Sequence, residues 1–507
     1  MAGIPRPTRS QPVPLDALVH EFGLDCRQGS LETTVAGVSL SSGDIQPGDL
    51  FVALAGQARH GAQFVDAAVT AGAAAVLTDQ EGAASIRADV PVLAHSAPRE
   101  CLGRVARMVY DPGVPLPAVY AVTGTNGKTS VALYLEAIAR QMGLSTALST
   151  THERRIVKDA FRTPLTTPEA PELQAMLAVA AERGVDVMAL EASAQAIQRH
   201  RLDGLTATVA GFTNLSHDHF EDFGDLETYL GVKAQLFTPR HASRAVVSLE
   251  TKWGIALADS LDIPLTTLGD ASSGAEWQLE FLPDSEHEAF RLSGPGGSVS
   301  SFTRSLGWHM ARNAALAALM LSEGGFGIAA VATAINTESR GIDVVIPGRL
   351  EKVSGDNDVA VYVDAGRSED AYRQTFQTLR RHHSGRLIVV CGTSGDRDRT
   401  KRPLMGRVAG ESADLVIVTD DDPRREDPAQ IRADLLSGVN AVSGVRVEEI
   451  PDPTEAIRQA VESARPGDTI VWMGPGSQTY RDVGGVKQEF SARDQARTAL
   501  AEKPGGV

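Results

Sequence analysis

An α/β fold in three domains is predicted by three observations. The chain has 507 residues, and at roughly 100–200 residues per domain about three domains are expected. From about residue 118, short apolar runs alternate with helical stretches, the pattern of a doubly wound parallel sheet. After IPGRLE at 346–351 the alternation restarts, which calls for a second, independent α/β sheet. The expected units are a small N-terminal α/β domain (1–115), a central doubly wound domain (116–346) and a C-terminal Rossmann-like α/β domain (347–507).

Each element follows from local pattern. In the first unit, GDLFVALA at 48–55 reads as a strand, 62–73 as a helix and 74–78 as another strand. DPGVPLP at 111–117 breaks the periodicity and reads as a linker. In the second unit VYAVTG, VDVMALEAS and ATVAGFTN are apolar runs ending in small or polar residues, with helices expected at 129–142 and 172–183. A more β-like insert near 277–304 precedes an Ala-rich helix at about 309–322. In the third unit VAVYVDAG leads to a helix at 369–382, and LIVVCGTSG, LVIVTDDDP and DTIVWMGPG each follow a helical segment. No tandem repeat of fixed short period is apparent.

Composition excludes several classes. Hydrophobic residues at 42% and charged residues at 22% are a globular balance rather than a disordered one. A net charge of −16 disfavours generic nucleic-acid or anionic-membrane binding, which needs a basic face. It leaves room for an anionic small molecule held by a few local cations. Cys26, Cys101 and Cys391 are far apart and form no CxxC pair, so neither a disulfide scaffold nor a zinc site is expected. The N-terminus lacks the apolar core of a signal peptide. No apolar run approaches the ~18 residues of a membrane span. A soluble, cytoplasmic protein is expected.

AVTGTNGKTS at 121–130 carries the most chemistry. An apolar strand enters a loop with two glycines, Gly124 and Gly127, before Lys128 and Thr129 open a helix. Glycine lets backbone N–H groups face an anion, and the helix N-terminus adds its partial positive charge. Lys128 supplies a full charge, and the Thr129 hydroxyl can bind Mg²⁺. The first glycine of the usual GxxxxGK[ST] pattern falls at Val122, so this is the shorter GxxGKT form. ATP binding is expected at Gly124, Thr125, Asn126, Gly127, Lys128, Thr129 and Ser130, making the central unit a P-loop ATPase domain. Glu191 ends a predicted strand, where a carboxylate can reach ligands at the sheet's C-terminal edge, and His219 follows the next strand.

TGTNGKT resembles the ATP loop of the Mur ligase superfamily, the ATP-dependent amide ligases of peptidoglycan assembly. Further matches follow in family order: PGDLFVALAGQ (47–57), LTTPEA (165–170), EAS (191–193), FTNLSHDHFEDFG (212–224), KAQLF (233–237), PGRLE (347–351), GDRDRTKRPLMG (395–406) and DDPR (421–424). Together they are most similar to the MurE, or UDP-N-acetylmuramoyl-tripeptide synthetase, branch. The resemblance implies a UDP-sugar site in the N-terminal domain, ATP in the central one and an amino acid in the C-terminal one. It implies phosphorylation of a substrate carboxylate by ATP, then attack of an amine on the acyl phosphate. Glu191 and His219 are implied as Mg²⁺ ligands beside Thr129, with Lys128, Glu191, His219 and Lys233 as the catalytic set. A lone helical lysine ordinarily faces solvent, but Lys233 is implied to be carbamylated, its carboxylate helping to bind a second Mg²⁺. Carbamylation needs neutral lysine, hence burial or a nearby metal.

The same resemblance places Thr166, Thr167, Ser193 and Arg201 on the UDP-sugar peptide and Ser42 on the UDP portion. It places Arg397, Asp422, Arg424, Gly474 and Gln478 in the amino-acid pocket, and Arg349 and Asp364 at hinge and ATP-side positions. Departures concentrate in substrate-facing segments. DSR becomes Ser41-Ser42-Gly43, and the ESSH-like segment continues as Ser193-Ala194-Gln195. DYAHTPD becomes the segment from Asp364 to Asp370, and GKGHE becomes Gly474-Pro475-Gly476-Ser477-Gln478. Arg424 is retained from the diaminopimelate signature DNPR, while its asparagine is Asp422 and the glutamate of GKGHE is Gln478. The expected incoming amino acid is a diamino acid, meso-diaminopimelate ahead of lysine or ornithine, joined to UDP-N-acetylmuramoyl-L-alanyl-D-glutamate by a monomeric enzyme. The alternatives are a folylpolyglutamate-type or otherwise diverged ligase, and a non-catalytic nucleotide-binding paralogue.

Overall fold

The strand Ala118–Thr123 divides its side chains between two cores. Tyr120 and Val122 join an apolar cluster on one face, Val119 and Ala121 a second cluster on the other. A strand buried on both faces must be apolar throughout rather than alternating, which is why these runs are legible in the sequence. The computed structural model describes residues 5–56, 59–161, 165–216, 220–282, 287–336, 340–355 and 358–503.

Ala118–Thr123 lies inside an eleven-stranded sheet. Parallel strands Thr146–Ser149 and Val187–Glu191 extend it on one side, and Val209–Phe212, Ala245–Ser248, Leu265–Gly269 and Trp277–Leu282 on the other. Helices Lys128–Gln141 and Trp308–Leu321 cover one face; Ala170–Glu182 and Leu226–Ala234 cover the other. The register pairs Glu191 with Val122 and Phe212 with Thr123, bringing these strand ends to one edge. The edges depart from the expected parallel sheet. Arg154–Ile156 and Asp159–Phe161 add antiparallel strands at one side, and Glu288–Gly294 and Gly297–Thr303 at the other. The first two are three residues long and rich in charge, too short to show a period.

The N-terminal sheet has five strands, ordered Asp25–Gln28, Val92–Ala94, Ala75–Thr78, Asp49–Ala53 and Gly37–Ser39. The helix expected over 62–73 is regular only over Val65–Thr70. A 3₁₀ turn, Gly61–Phe64, precedes it, and Gly72 at φ +107° turns the chain away after it. The C-terminal sheet has six strands, ordered Glu351–Lys352, Ala360–Asp364, Thr469–Met473, Leu387–Cys391, Leu415–Val418 and Arg446–Glu449. All its pairings are parallel except that of the short first strand. A hairpin, Tyr480–Val483 with Val486–Glu489, stands beside it. Neither 111–117 nor 346–350 contains a helix or strand. Among the described residues no helix is long and apolar enough to cross a membrane.

Candidate active site

The phosphate loop leaves its strand at Gly124 (φ +147°) and enters helix Lys128–Gln141 from Gly127 (φ +89°), both in the left-handed region that favours glycine. Space reinforces the requirement. A Cβ on Gly124 lies 1.9 Å from the Thr213 hydroxyl, and one on Gly127 lies 2.6 Å from the Asn313 amide oxygen. Residues after the next strand tie the loop down. Thr125 N–H donates to the Asn214 carbonyl (2.9 Å), Asn126 N–H to Asn214 Oδ1 (3.0 Å), and the Thr213 hydroxyl to the Asn126 carbonyl (2.6 Å). Lys128 Nζ donates to the carbonyls of Gly124 (3.0 Å) and Thr125 (2.8 Å), while Thr129 and Ser130 are buried at the helix start.

Glu191 closes the neighbouring strand and is 2% exposed. Its Oε2 accepts from the Thr129 hydroxyl (2.9 Å), Thr151 N–H (3.0 Å) and the Thr151 hydroxyl (3.1 Å). Thr151 also reaches the Thr166 hydroxyl (3.2 Å). Thr167 donates to the Glu191 carbonyl (2.8 Å) and accepts from Ser193 N–H (3.1 Å), while Ser193 caps the helix Ala194–Gln198. Thr129, Thr166, Thr167, Glu191 and Ser193 thus form one connected group. Its oxygens are hard donors around a single carboxylate, a set that fits Mg²⁺ held by protein together with substrate phosphates. Among the described residues no three His, Cys, Asp or Glu side chains converge on one point. His219 lies outside the described residues.

Lys233 does not face solvent: it is fully buried, donates to the Gly124 carbonyl at 2.9 Å and lies 4.2 Å from the Tyr229 ring centroid. The phosphate loop therefore touches both lysines, through the same Gly124 carbonyl.

A cavity of about 150 Å³ between the central and C-terminal sheets is lined by Asn126, Gly127, Ser130, His309, Asn313, Arg349, Asp364 and Arg367. Asp364 accepts from Leu350 N–H (2.7 Å) and Gly366 N–H (2.6 Å), and burial raises its pKa against the nearby Arg349. Arg349 Nε is buried without a hydrogen-bond partner among the described residues. His309 and Asn313 were not singled out from sequence. They stand four apart on the Ala-rich helix, a polar stripe in an apolar element that could have marked them. Burial lowers the His309 pKa to about 4, keeping the ring neutral.

The residues expected around the amino acid lie beyond this cavity. Asp422, 3% exposed, accepts from Asp482 N–H at 2.7 Å. Gln478 Oε1 accepts from Arg367 at 2.8 Å, and Arg367 also pairs with Asp421 at 2.8 Å. Arg424 adopts φ +53°, and Arg397 is close enough to depress its pKa, second to burial. Gly474 has φ +117°, its Cα hydrogen facing the Gly392 carbonyl and Asp421. Arg367 and Asp421 were missed as members of this cluster, because their pairing joins loops far apart in sequence.

At the other end, a cleft of about 660 Å³ runs between the N-terminal sheet and helix Ala170–Glu182. Ser41 and Gly43 line it, with half-buried Ser42 between them. Arg201 pairs with Glu169 at 2.9 Å, and Glu169 itself lines the cleft. The residues expected to hold the UDP-sugar substrate thus divide into two groups, Ser42 and Arg201 by this cleft and Thr166, Thr167 and Ser193 by Glu191.

Comparison with known proteins matches three successive segments. Residues 34–110 match the Mur ligase family catalytic domain, 122–321 the Mur ligase middle domain, and 348–476 the Mur ligase glutamate ligase domain. The chain is 45% identical over 502 residues to the UDP-N-acetylmuramyl-tripeptide synthetase of Leifsonia xyli subsp. xyli, covering 98% of each chain. It is 36% identical over 516 residues to the UDP-N-acetylmuramoyl-L-alanyl-D-glutamate–2,6-diaminopimelate ligase of Streptomyces coelicolor, covering 99% of each. A solved structure of a ligase of that name superposes with TM-score 0.67 at 30% identity, covering 97% of this chain and 99% of the other. Folylpolyglutamate synthase from Mycobacterium tuberculosis, solved with ADP and AMPPCP, shares the fold at TM-score 0.60 and 22% identity, with 80% of this chain covered and 96% of that one. A phosphate loop, a buried carboxylate beside it and three sheets in this order are thus accompanied by similarity along the whole length: the chain belongs to the Mur ligase family, and is an ATP-dependent ligase of peptidoglycan assembly.

Proposed function

We propose that the chain adds meso-diaminopimelate, in preference to L-lysine or L-ornithine, to UDP-N-acetylmuramoyl-L-alanyl-D-glutamate in the cytoplasm, as a monomer with domains 1–115, 116–346 and 347–507. The observation that carries the ligase chemistry is the contact of Thr129 with Glu191 at the mouth of the phosphate loop. ATP binds along residues 124–130, with Arg349, Asp364 and the Asn313 side chain closing the cavity over it. Lys128 offsets charge on the phosphoryl group as it moves to one of the two carboxylates of the substrate's terminal glutamate, releasing ADP. The amine of the incoming amino acid then attacks the acyl carbon and phosphate leaves.

Thr129, Glu191 and His219 would hold Mg²⁺, which would supply charge neutralisation at the phosphate oxygens when bound. Lys233, as a carbamate, would help to hold a second Mg²⁺, a role supported by its burial against the loop. Thr166, Thr167, Ser193, Arg201 and Ser42 hold the UDP-sugar substrate, and Arg397, Asp422, Arg424, Gly474 and Gln478 surround the amino acid. Arg424 favours diaminopimelate because a guanidinium can grip the distal carboxylate with two hydrogen bonds. Relatives named as diaminopimelate ligases support the same preference.

Phosphate release with the UDP-dipeptide and a panel of diaminopimelate, lysine, ornithine and monoamino acids tests this. Diaminopimelate is expected to give the highest kcat/KM, with Arg424→Ala removing most of that preference. A lysine preference untouched by Arg424→Ala overturns the diaminopimelate assignment, and turnover with monoamino acids alone overturns the diamino-acid one.

A further inference from the structure

The hairpin Tyr480–Val483 with Val486–Glu489 is docked on the loop that carries Asp422 and Arg424. Arg424 N–H donates to the Asp482 carbonyl (2.8 Å), Gly484 N–H to the Arg424 carbonyl (2.6 Å), and Asp482 N–H to Asp422 Oδ1 (2.7 Å). These bonds hold Arg424 in the left-handed region at φ +53°, a conformation that persists in a non-glycine residue only where its surroundings enforce it.

The same docking sets two opposite charges side by side without joining them. Among the described residues the Arg424 guanidinium makes no hydrogen bond or ion pair, although Asp482 and Asp422 both act on it electrostatically. Asp482 Oδ1 is buried and has no hydrogen-bond partner among those residues. A buried carboxylate oxygen is costly unless something donates to it. Two neighbouring acceptor oxygens are already engaged: Asp422 Oδ1 by the hairpin, and Gln478 Oε1 by Arg367.

We infer that Asp482 receives the side-chain ammonium of the incoming diamino acid, beside the Arg424 guanidinium. This rests on the reading of the Arg424 loop as the amino-acid pocket. Asp482 then makes good what Gln478 cannot supply as a neutral side chain. With diaminopimelate, whose distal carbon carries an ammonium and a carboxylate, Asp482 and Arg424 each take one of the two groups. Two of the three docking bonds use the backbone of Asp482 and the third that of Gly484, and none uses the Asp482 carboxylate, so substitution of the side chain leaves the hairpin in place.

The test compares wild-type enzyme with Asp482→Asn and Asp482→Glu, measuring kcat and KM for diaminopimelate, for 2-aminopimelate, which lacks only the distal ammonium, and for ATP. Melting temperature is followed as the control for folding. Asp482→Asn is expected to raise KM for diaminopimelate by roughly tenfold or more, as loss of a charged hydrogen bond does. Its KM values for 2-aminopimelate and ATP stay within about twofold, and Asp482→Glu regains part of the lost preference. An unchanged ratio between the two amino acids overturns the assignment, as does a parallel rise in all KM values. If wild-type enzyme prefers lysine or ornithine, the diaminopimelate reading alone fails, and Asp482 is judged on lysine against norleucine or ornithine against norvaline. If it turns over only monoamino acids, both fail.

Discussion

Lys233 occupies the last turn of a nine-residue helix, a position at which a lysine ordinarily extends into water. Here its amine is enclosed against Tyr229 and the Gly124 carbonyl. Lys128 touches the same carbonyl from the other side, yet the two lysines differ in what the proposed chemistry asks of them. Lys128 contributes a positive charge, and Lys233, as a carbamate, a negative one. Both Lys128→Ala and Lys233→Ala are expected to cut phosphate release well over tenfold, more than about 1.4 kcal/mol of barrier. Added formate or acetate partly restores Lys233→Ala and does nothing for Lys128→Ala, because only the first lacks a carboxylate. Full activity in Lys233→Ala would show that its burial is structural.

At the scale of elements, the phosphate loop and the helix it feeds were legible because their demands are local: an apolar strand, glycines where φ is positive, and a helix start. The helix Ala170–Glu182 was legible for a similar reason, although its start moves two residues upstream of 172. Glu169 and Glu172 form a capping box there, with Pro171 in the first turn. Gly127→Ala tests the loop as an element. A left-handed alanine costs about 1–2 kcal/mol, and its Cβ also meets Asn313. Melting temperature is expected to fall by several degrees, at roughly 2–4 °C per kcal/mol. ADP affinity, followed by calorimetry, is expected to fall more than about tenfold as the loop's N–H groups turn away. Unaltered ADP affinity would show that the loop tolerates the shift.

In the whole molecule, contacts between the central and C-terminal sheets decide whether the residues proposed for ATP and those proposed for the amino acid face each other. Glu288, on the antiparallel strand next to the sheet edge, accepts from Gly307 N–H (2.8 Å) and pairs with His382 (2.8 Å) and Arg381 (3.4 Å) of the C-terminal helix Glu369–His382. Arg381 also lies 4.0 Å from the Trp308 ring centroid. Elsewhere between the central and C-terminal sheets, the Ser477 hydroxyl meets His152 Nδ1 at 2.9 Å. Glu288→Gln keeps the shape and removes the charge that pairs with Arg381 and accepts from His382. It is expected to weaken docking by about 1–3 kcal/mol, raising KM for ATP several-fold and changing Trp308 fluorescence, with the sheets themselves intact. Unchanged KM and fluorescence would show that the Glu288 cluster does not hold the domains together.

The strands Ala118–Thr123, Val187–Glu191, Val209–Phe212, Ala360–Asp364, Leu387–Cys391, Leu415–Val418 and Thr469–Met473, helices such as Lys128–Gln141 and Glu369–His382, and the phosphate loop follow from the sequence by itself, because period and glycine placement act over a few residues. The same locality explains what it left out. Short charged edge strands carry no period, and the polar pair His309 and Asn313 is hidden in an Ala-rich helix. Only the tertiary structure decided that Thr129 meets Glu191 across 62 residues, that Lys233 meets Gly124 across 109, and that His152 meets Ser477 across 325. It likewise set Asp482 beside Arg424, since a hairpin's docking partner depends on where the sheets place both chains. Spacing along the chain determines which groups are available, and the packing of sheets and loops determines which of them share a site.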